Sequence, residues 1–203
     1  MHIVPEQPRH AAPIEALLEE SFGPDRHKKT VYRLREGVAP IPDLCLVAEE
    51  EDGSLRGTLR FWPIDIVADA AGDGVGGQRV PALLLGPIAV QGGLRKTGVG
   101  TLLMTEGLAR ARALGHRIVL LVGDEPYYSR FGFRRNLAEL LRLPGPVDLN
   151  RFLGLELQTG ALDGLRGLVD TSLGGVGMGV DASPAPGTGD NAAQTADHRA
   201  RRP

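Results

Sequence analysis

A strand, loop, helix and second strand in the middle of the chain constrain the fold more than any other feature. An almost continuously apolar run, Val80 to Val90, opens this segment, and a second apolar run, Arg117 to Val122, closes it. Such runs are typical of strands that are covered on both faces. The stretch from about Gly98 to Leu114 has apolar residues at helical spacing. Because the connections are short, we expect the two strands to be parallel and joined by a right-handed crossover.

A basic loop, RKTGVG from Arg95 to Gly100, leads into this helix. Unpaired amides and the positive end of the helix dipole form an anion site at such a position. The glycines equally fit a loop that only lets the helix pack on the sheet, so the string alone leaves both interpretations open. The apolar face of the helix is predicted to contain Val99, Leu102, Leu103, Leu108, Ala111 and Leu114.

A second glycine string, GDGVGG from Gly72 to Gly77, matches a dinucleotide-binding fingerprint by its letters. That fingerprint binds a pyrophosphate only where a strand precedes it and a helix follows it. Here Gln78, Arg79 and a strand follow instead. The string is therefore interpreted as a flexible connection between two strands.

Charge and cysteine content exclude several classes of protein. The formal net charge of −2 gives no reason to expect binding to nucleic acid or to an anionic membrane. Cys45 is the only cysteine, which excludes an intrachain disulfide, and the five histidines are too scattered for metal ligands. The N-terminus has no signal-like segment, and no apolar run is long enough to span a membrane. We expect a cytoplasmic protein without a metal.

The remaining elements follow from shorter patterns. The first two are an amphipathic helix over Pro8 to Phe22 and a basic helix over Asp25 to Glu36. They are followed by a hairpin of Leu44 to Glu49 with Leu55 to Val67, a turn of helix at Pro126 to Arg130 and a last strand over Phe152 to Gln158. From Thr171 onward, glycine and proline are frequent and large apolar side chains are few. Such a segment cannot offset its ordering entropy. We predict one domain over residues 1–165, with a linker and a disordered tail over 166–203.

Four strings in this order resemble the motif set of the GNAT superfamily of acyl-CoA-dependent N-acetyltransferases: LLLGPIAV, RKTGVG, HRIVLLVG and YYSRFGF. The longer string GDEPYYSRFGF is similar to bacterial members of the YhbS type. The resemblance covers roughly residues 1–160. It implies an α/β (α+β) fold with a mixed, centrally splayed sheet flanked by helices. It also implies transfer of an acetyl group from acetyl-CoA, as co-substrate, to a primary amine of a small molecule or protein.

The resemblance further implies roles for individual residues. The family's pyrophosphate loop corresponds to Arg95, Lys96, Thr97, Gly98, Val99 and Gly100, with Thr101 adding one more amide. Backbone groups at Ile88, Ala89 and Val90 correspond to those that hold the pantetheine arm and the thioester carbonyl. Tyr128 corresponds to the general acid that protonates the departing thiolate. The alternative for Tyr128 is a packing aromatic with a solvated hydroxyl, and Tyr127 is expected in the core or the pocket wall.

Two departures from the family pattern concern the loop and the base. Gly92 replaces a frequent proline and Lys96 a frequent glycine, while the matched glycines are kept. Where some relatives carry a glutamate on the central strand, this chain has three leucines, Leu83 to Leu85. The base is then Asp124 or Glu125 acting through water, or the amine arrives deprotonated. An acidic residue at the end of a strand is also a common helix cap.

The acceptor pocket in this family is built by the first two helices and the hairpin, here Phe22 to Val38 and Leu59 to Ile66. The second helix carries six basic residues: Arg26, His27, Lys28, Lys29, Arg33 and Arg35. They suggest an acidic acceptor or contact with the CoA 3′-phosphate, or else form a solvated face. Trp62 lines the acceptor site or packs in the core, and Cys45 is expected to be inert core. A catalytically silent acyl-CoA-binding or sensing module is the alternative function, and a homodimer is a further expectation.

Overall fold

The computed structural model describes residues 1–70, 77–94 and 96–172. Eight strands in this part of the chain form one mixed sheet, and helices pack on its faces. The helices are α1 (Ala11–Phe22), α2 (Thr30–Arg33), α3 (Val99–Ala113) and α4 (Glu125–Tyr128). The strands are β1 (His2–Pro5), β2 (Leu46–Glu49), β3 (Leu55–Ala68), β4 (Arg79–Val90), β5 (Ile118–Val122), β6 (Leu141–Arg142), β7 (Phe152–Glu156) and β8 (Gly167–Thr171). No helix in the described ranges is long and apolar enough to cross a membrane.

The predicted central unit is present, since β4, α3 and β5 follow one another and β4 lies parallel to β5. The sheet order is β1, β2, β3, β4, β5, β7, and the other neighbours in this row are antiparallel. The hairpin of β2 and β3 is confirmed. Strand β3 is long enough that its first half pairs with β2 and its second half with β8. Strand β4 is thereby covered along one edge by β3.

The other edge of β4 separates from β5 after a short stretch of pairing. The two strands pair only at Leu83 with Val119 and at Leu84 with Leu120. Just beyond this point, β4 carries two residues, Gly86 and Pro87, opposite a single residue of β3. Such a bulge bends its strand and ends regular pairing. The carboxyl half of β4 therefore borders an opening in the sheet.

Helices α1 and α3 cover opposite faces of the sheet. Alternation along β2 shows this, because Leu46 and Ala48 pack in the cluster with α3 whereas Val47 packs with α1. Helix α3 approaches closely at Gly107, where an added Cβ would lie 2.7 Å from Leu59 Cδ2. Residues of the apolar patterns that predicted these elements thus form the contacts between the helices and the sheet.

The predicted apolar face of α3 is wrong at two of its six positions. Leu102 and Leu114 are 51% and 47% exposed, whereas Met104 and Gly107 are buried. Gly107 belongs to the buried face because the helix axis lies so close to the sheet that only glycine fits there. A glycine has no hydropathy signal to reveal this.

The predicted basic helix Asp25 to Glu36 is also wrong. A 3₁₀ turn over Pro24–Lys28 and the single turn α2 replace it, and Lys29 between them is extended. The buried Arg26 explains the break, because its guanidinium pairs with two carboxylates of α1, Glu15 at 2.6 Å and Glu19. The charge pattern of this segment follows those ion pairs and not a helical face.

The domain boundary predicted at residue 165 is too early. Strand β8 pairs with both β3 and β6, and its Val169 is fully buried. A side chain at Gly167 would overlap the Val67 carbonyl, so the strand lies tight against its neighbour. Strand pairing extends through Thr171, and of the linker and disordered tail predicted over 166–203, residues 173–203 lie outside the described part of the chain.

The glycine string from Gly72 to Gly77 connects two antiparallel strands, β3 and β4. Residues 71–76 lie outside the described part of the chain, but the element that follows is a strand. The fingerprint therefore lacks the helix that a pyrophosphate site needs.

We predict that a chain ending after Ser172 keeps the stability of the described domain, whereas one ending after Leu165 loses at least about 2 kcal/mol. The reason is that the shorter chain loses a fully buried Val169 and the strand pairing of β8. Chemical denaturation of the two truncations measures the difference. Equal denaturation midpoints would contradict the assignment of β8 to the folded core.

Candidate active site

A cavity of about 530 Å³ lies where β4 and β5 separate. Strand β4 supplies one wall through residues 85–88, and the end of β5 with residues 123 and 124 supplies the other. The remaining lining residues come from the α2 region, the loop before β7 and Tyr128: Phe22, Lys28, Lys29, Thr30, Val31, Tyr32, Arg35, Pro146, Val147, Asp148, Arg151 and Tyr128. The separation of two central strands thus creates an opening lined by both of them.

The open edge of β4 presents backbone amides. The Gln91 N–H donates to the Arg56 carbonyl at 2.9 Å, on the side of β3. Because N–H groups alternate between the two edges of a strand, those of Ile88 and Val90 point to the opposite edge. Ala89 packs in the cluster with α1 on one face, and its two neighbours pack against the cluster with α3 on the other. The predicted residues 88–90 therefore form an ordered row beside the opening.

The loop that enters α3 has two residues in the left-handed region. Gly98 has a φ of 98° and Lys96 a φ of 69°. For lysine this conformation costs about 1–2 kcal/mol, which accounts for the glycine that relatives often have there. The Leu102 N–H donates to the Gly98 carbonyl. The amides of the first three residues of α3 precede this first helical bond and have no partner within the helix.

The positive end of α3 therefore has the unpaired amides and the dipole that the predicted anion site requires. Lys96, Thr97 and Gly98 are exposed there, and Gly100 and Thr101 are partly exposed. The buried Val99 anchors the loop in the core. Arg95 lies outside the described residues.

Tyr128 ends α4 and lines the cavity. Its ring lies against Gly123, where an added Cβ would stand 2.8 Å from the Tyr128 Cδ2 atom and overlap the ring edge. The ring also packs edge-on against Phe133, with centroids 6.0 Å apart. Burial raises the pKa of the phenol to about 12. The hydroxyl is thus protonated throughout the neutral range and is a proton donor to the cavity.

Tyr127, expected in the core or pocket wall, lies between Tyr128 and the start of α3. Its hydroxyl would be 2.7 Å from a Cβ added at Gly100. Its ring contacts Tyr128 edge-on and carries the Arg130 guanidinium 4.3 Å above its centroid. No sequence pattern indicated this, because the contact joins two helices that are distant along the chain.

The two acidic residues considered as bases lie in different environments. Asp124 lines the cavity, but its carboxylate pairs with Arg151 at 3.1 Å and its carbonyl accepts the Tyr127 N–H. The Glu125 carboxylate accepts the Arg135 N–H at 3.3 Å and does not line the cavity. Asp124 is therefore the acidic residue of the pair nearer to a substrate.

Residues on the α2 side also have defined roles. The Trp62 indole donates to the Gly86 carbonyl at 2.8 Å, which fixes the ring beside the bulge. Cys45 is buried, and burial raises the pKa of its thiol to about 12, so the prediction of an inert core cysteine is confirmed. Within the described ranges, no three side chains of His, Cys, Asp or Glu are grouped to hold a metal ion.

A splayed mixed sheet with an open strand edge, and a helix N-terminus that lies next to Val90 at the end of that edge, are features of acyltransferases that use a coenzyme A thioester. The chain belongs to the acetyltransferase (GNAT) domain family, whose model matches residues 8–135. The predicted family and fold class are confirmed. The matched residues include β2, the whole unit from β4 through α3 to β5, and Tyr128.

Known relatives support this assignment over most of the chain. The uncharacterized N-acetyltransferase YhbS of Escherichia coli (strain K12) is 34% identical over 165 residues, which are 81% of this chain and 92% of that protein. The crystal structure of Escherichia coli YhbS in complex with CoA has a TM-score of 0.67 at 33% identity, over 84% of this chain and 89% of that one. A GNAT family acetyltransferase from Brucella melitensis, solved in complex with acetyl-CoA, has a TM-score of 0.60 at 29% identity, over 85% and 96%.

We predict that Gly123→Ala lowers the free energy of unfolding by about 1–3 kcal/mol, because the new methyl group overlaps the Tyr128 ring. In a Tyr128→Ala background, the same substitution should cost less than about 0.5 kcal/mol, because the ring is gone. Denaturation of the four proteins of this double-mutant cycle measures the coupling. Gly93→Ala is the control, since an added Cβ there meets nothing within 4 Å. Equal costs in both backgrounds would show that Gly123 does not position Tyr128.

Proposed function

We propose that the protein transfers the acetyl group of acetyl-CoA to a primary amine by direct attack, with Tyr128 as the general acid. One observation carries this proposal: a protonated, partly buried phenol lines the opening between β4 and β5. The relatives crystallised with CoA and with acetyl-CoA support the identity of the donor.

The pyrophosphate of the donor is proposed to bind at the start of α3. The amides of Val99, Gly100 and Thr101 and the helix dipole supply donors and positive potential. The loop residues Arg95 to Gly98 complete the site, with Lys96 adding a positive charge. The absence of a side chain at Gly100 lets the Tyr127 hydroxyl lie close to the start of α3, where an added Cβ would be 2.7 Å from it. The interpretation of this loop as a mere packing device explains the glycines but not the unpaired amides.

The pantetheine arm and thioester are proposed to lie along the open edge of β4. The N–H groups of Ile88 and Val90 point to this edge, and Ala89 holds the strand in place from the other face. Amide donors at a strand edge bind the carbonyls of an extended chain as a neighbouring strand would. The same donors stabilise the negative charge that develops on the thioester oxygen.

Transfer then needs one attack and one proton donation. The amine nitrogen forms a bond to the thioester carbon, and the carbonyl electron pair moves to the oxygen. When the intermediate collapses, the carbon–sulfur bond breaks and the sulfur takes the Tyr128 proton. The nitrogen loses its proton to solvent, and Tyr128 is reprotonated from solvent. Asp124 assists the first of these steps through water only when its pairing with Arg151 loosens.

The acceptor, the oligomeric state and the location remain predictions. A primary amine of a small molecule or protein is the proposed acceptor class. A homodimer and a cytoplasmic location are kept as expectations from the sequence.

We predict that Tyr128→Phe lowers kcat by about 10²- to 10⁴-fold, because the leaving thiolate loses its proton donor. The dissociation constant for acetyl-CoA should change by no more than a few-fold. Release of free thiol from acetyl-CoA across a panel of amines measures turnover, and calorimetry measures binding. Tyr127→Phe is the matched control, since it removes the adjacent hydroxyl and should leave kcat within a few-fold. Unchanged turnover in Tyr128→Phe would refute the acid, and a wild type that binds acetyl-CoA without any turnover would favour the silent binding module.

We predict that replacing Gly98 and Gly100 together by valine abolishes the thermal shift that acetyl-CoA produces. Valine at 98 is strained at a φ of 98°, and valine at 100 overlaps the Tyr127 hydroxyl beside the amides. Gly93→Val in the preceding turn is the control and should retain the shift. The melting temperature of each protein without ligand separates loss of binding from loss of folding. A folded double variant that keeps the shift would exclude the phosphate site.

A further inference from the structure

Arg35 is a cation built into the wall of the cavity, on the side away from α3. Its guanidinium lies 4.7 Å from the Tyr32 ring centroid and 5.6 Å from that of Trp62. It also reaches β4, since an added Cβ at Gly86 would lie 3.2 Å from its Nη2 atom. Three separate segments therefore hold this charge beside the bulge that opens the sheet. The guanidinium also borders a second cavity of about 270 Å³ on its other side.

In the described part of the chain, Arg35 has no acidic partner, whereas the other arginines around the two cavities do. Arg26 pairs with Glu15 at 2.6 Å, and Arg60 pairs with Glu6 through two bonds of 2.6 and 2.7 Å. Arg151 pairs with Asp124. Among the described residues, no carboxylate lies within 4.0 Å of the Arg35 guanidinium, and its Nε is buried without a hydrogen-bond partner.

An unpaired, partly buried guanidinium lowers the stability of the protein unless a ligand supplies a partner for it. Burial lowers the pKa of Arg35 to about 10, helped by the nearby Arg60 charge and opposed by the Tyr32 phenol. The group is still protonated at neutral pH, so a poorly solvated positive charge faces the cavity. Arginine binds a carboxylate with two parallel hydrogen bonds, and such bonds strengthen where water is excluded. The flanking rings hold the guanidinium plane in place for this contact.

We propose that Arg35 binds a carboxylate of the acceptor, so that the substrate is an amine that carries a carboxylate a few bonds from its nitrogen, as an amino acid does. This inference rests on the proposed function. Its geometry follows from β4, where Gly86 precedes Ile88 by two residues, about 6–7 Å along a strand. The distance between the Arg35 charge and the amides proposed to hold the thioester is therefore about the length of a small substrate. Specificity for such a substrate is the role assigned to Arg35.

A monoanion fits this cavity better than a phosphate does. Of the other cations that line it, Lys28 pairs with Asp25, Arg151 pairs with Asp124 and Lys29 lies over the Phe22 ring, which leaves the Arg35 guanidinium to bind a single negative charge. Arg35 offers the fork of a single guanidinium, which matches a planar carboxylate. A cationic polyamine would bring its own positive charges close to Arg35. The occupant favoured by the charges is a small amino acid with a free carboxylate.

Matched acceptors test the proposal directly. Each L-amino acid, β-alanine and γ-aminobutyrate is compared with its own carboxamide in the thiol-release assay, with phosphoethanolamine and spermidine as further arms. Wild type should prefer the carboxylates by at least about tenfold in kcat/KM, through KM. Arg35→Met should raise KM for the carboxylates about 10- to 100-fold, leave kcat within a few-fold and leave the carboxamides unchanged. Arg35→Lys should restore part of the preference, and Arg33→Met, an exposed arginine of the same segment, should behave as wild type.

A second readout does not depend on turnover. N-acetyl amino acids should raise the melting temperature of wild type and not of Arg35→Met, whereas their carboxamides should shift neither. Arg35→Met without ligand should melt at or above the wild-type temperature, because methionine keeps the aliphatic packing and removes an unpaired charge.

Several results would overturn the inference. These are a preference for carboxamides, spermidine or phosphoethanolamine, an equal loss of activity on carboxylate and carboxamide in Arg35→Met, or a large drop in its melting temperature, which would make Arg35 a structural residue. If no amine releases thiol although acetyl-CoA binds, the proposed transfer fails. The role of Arg35 then stands if N-acetyl amino acids stabilise wild type alone, and falls if they do not.

Discussion

The early end of pairing between β4 and β5 is the constraint on which the site depends. Two residue pairs hold these strands together, and the bulge at Gly86 and Pro87 then turns β4 away. Proline has no N–H to donate to a neighbouring strand, so the regular ladder of β4 is interrupted at the bulge. The amides that would pair with β5 in a continuous sheet therefore form an unpaired row beside the cavity. Without this separation neither Tyr128 nor Arg35 would face open space.

The space that the strands leave is shaped by close contacts at glycines. Gly123 lets the edge of the Tyr128 ring lie against the end of β5, and Gly100 lets the Tyr127 hydroxyl lie close to α3. The two adjacent tyrosines therefore reach different parts of the site, one the cavity and the other the start of α3. A short helix of four residues achieves this because successive side chains on it point about 100° apart. Aromatic contacts with Phe131 and Phe133 fix both rings.

The sequence predicted the parts of this fold in which the pattern and the environment are local. The buried runs of β4 and β5 and the helix between them have clear periodicity, and the loop before α3 has a recognisable chemistry. Strand β8 was missed because its short run, Gly167 to Thr171, alternates weakly and gains its burial from β3, which is distant along the chain. The basic segment was misread because a run of charges has no period that distinguishes a helix from residues drawn into ion pairs with α1. Arg35 could not be separated from its basic neighbours, since its contacts to Trp62 and Gly86 exist only after β3 and β4 have folded.

Several polar groups around the site lack a partner within the protein. A domain of this size satisfies nearly all of its buried polar groups, as the paired arginines Arg26 and Arg60 illustrate. Three groups without a partner in the protein concern the site: the Arg35 guanidinium, the open edge of β4, and the amides at the start of α3 next to Val90. Each costs free energy in the protein alone and each matches a different part of a reaction: an anion, an extended chain with carbonyls, and a carboxylate. Under the proposed function, ligands relieve these three costs, which are then stability given up for binding, and Tyr128 lies where the proposed ligands would meet.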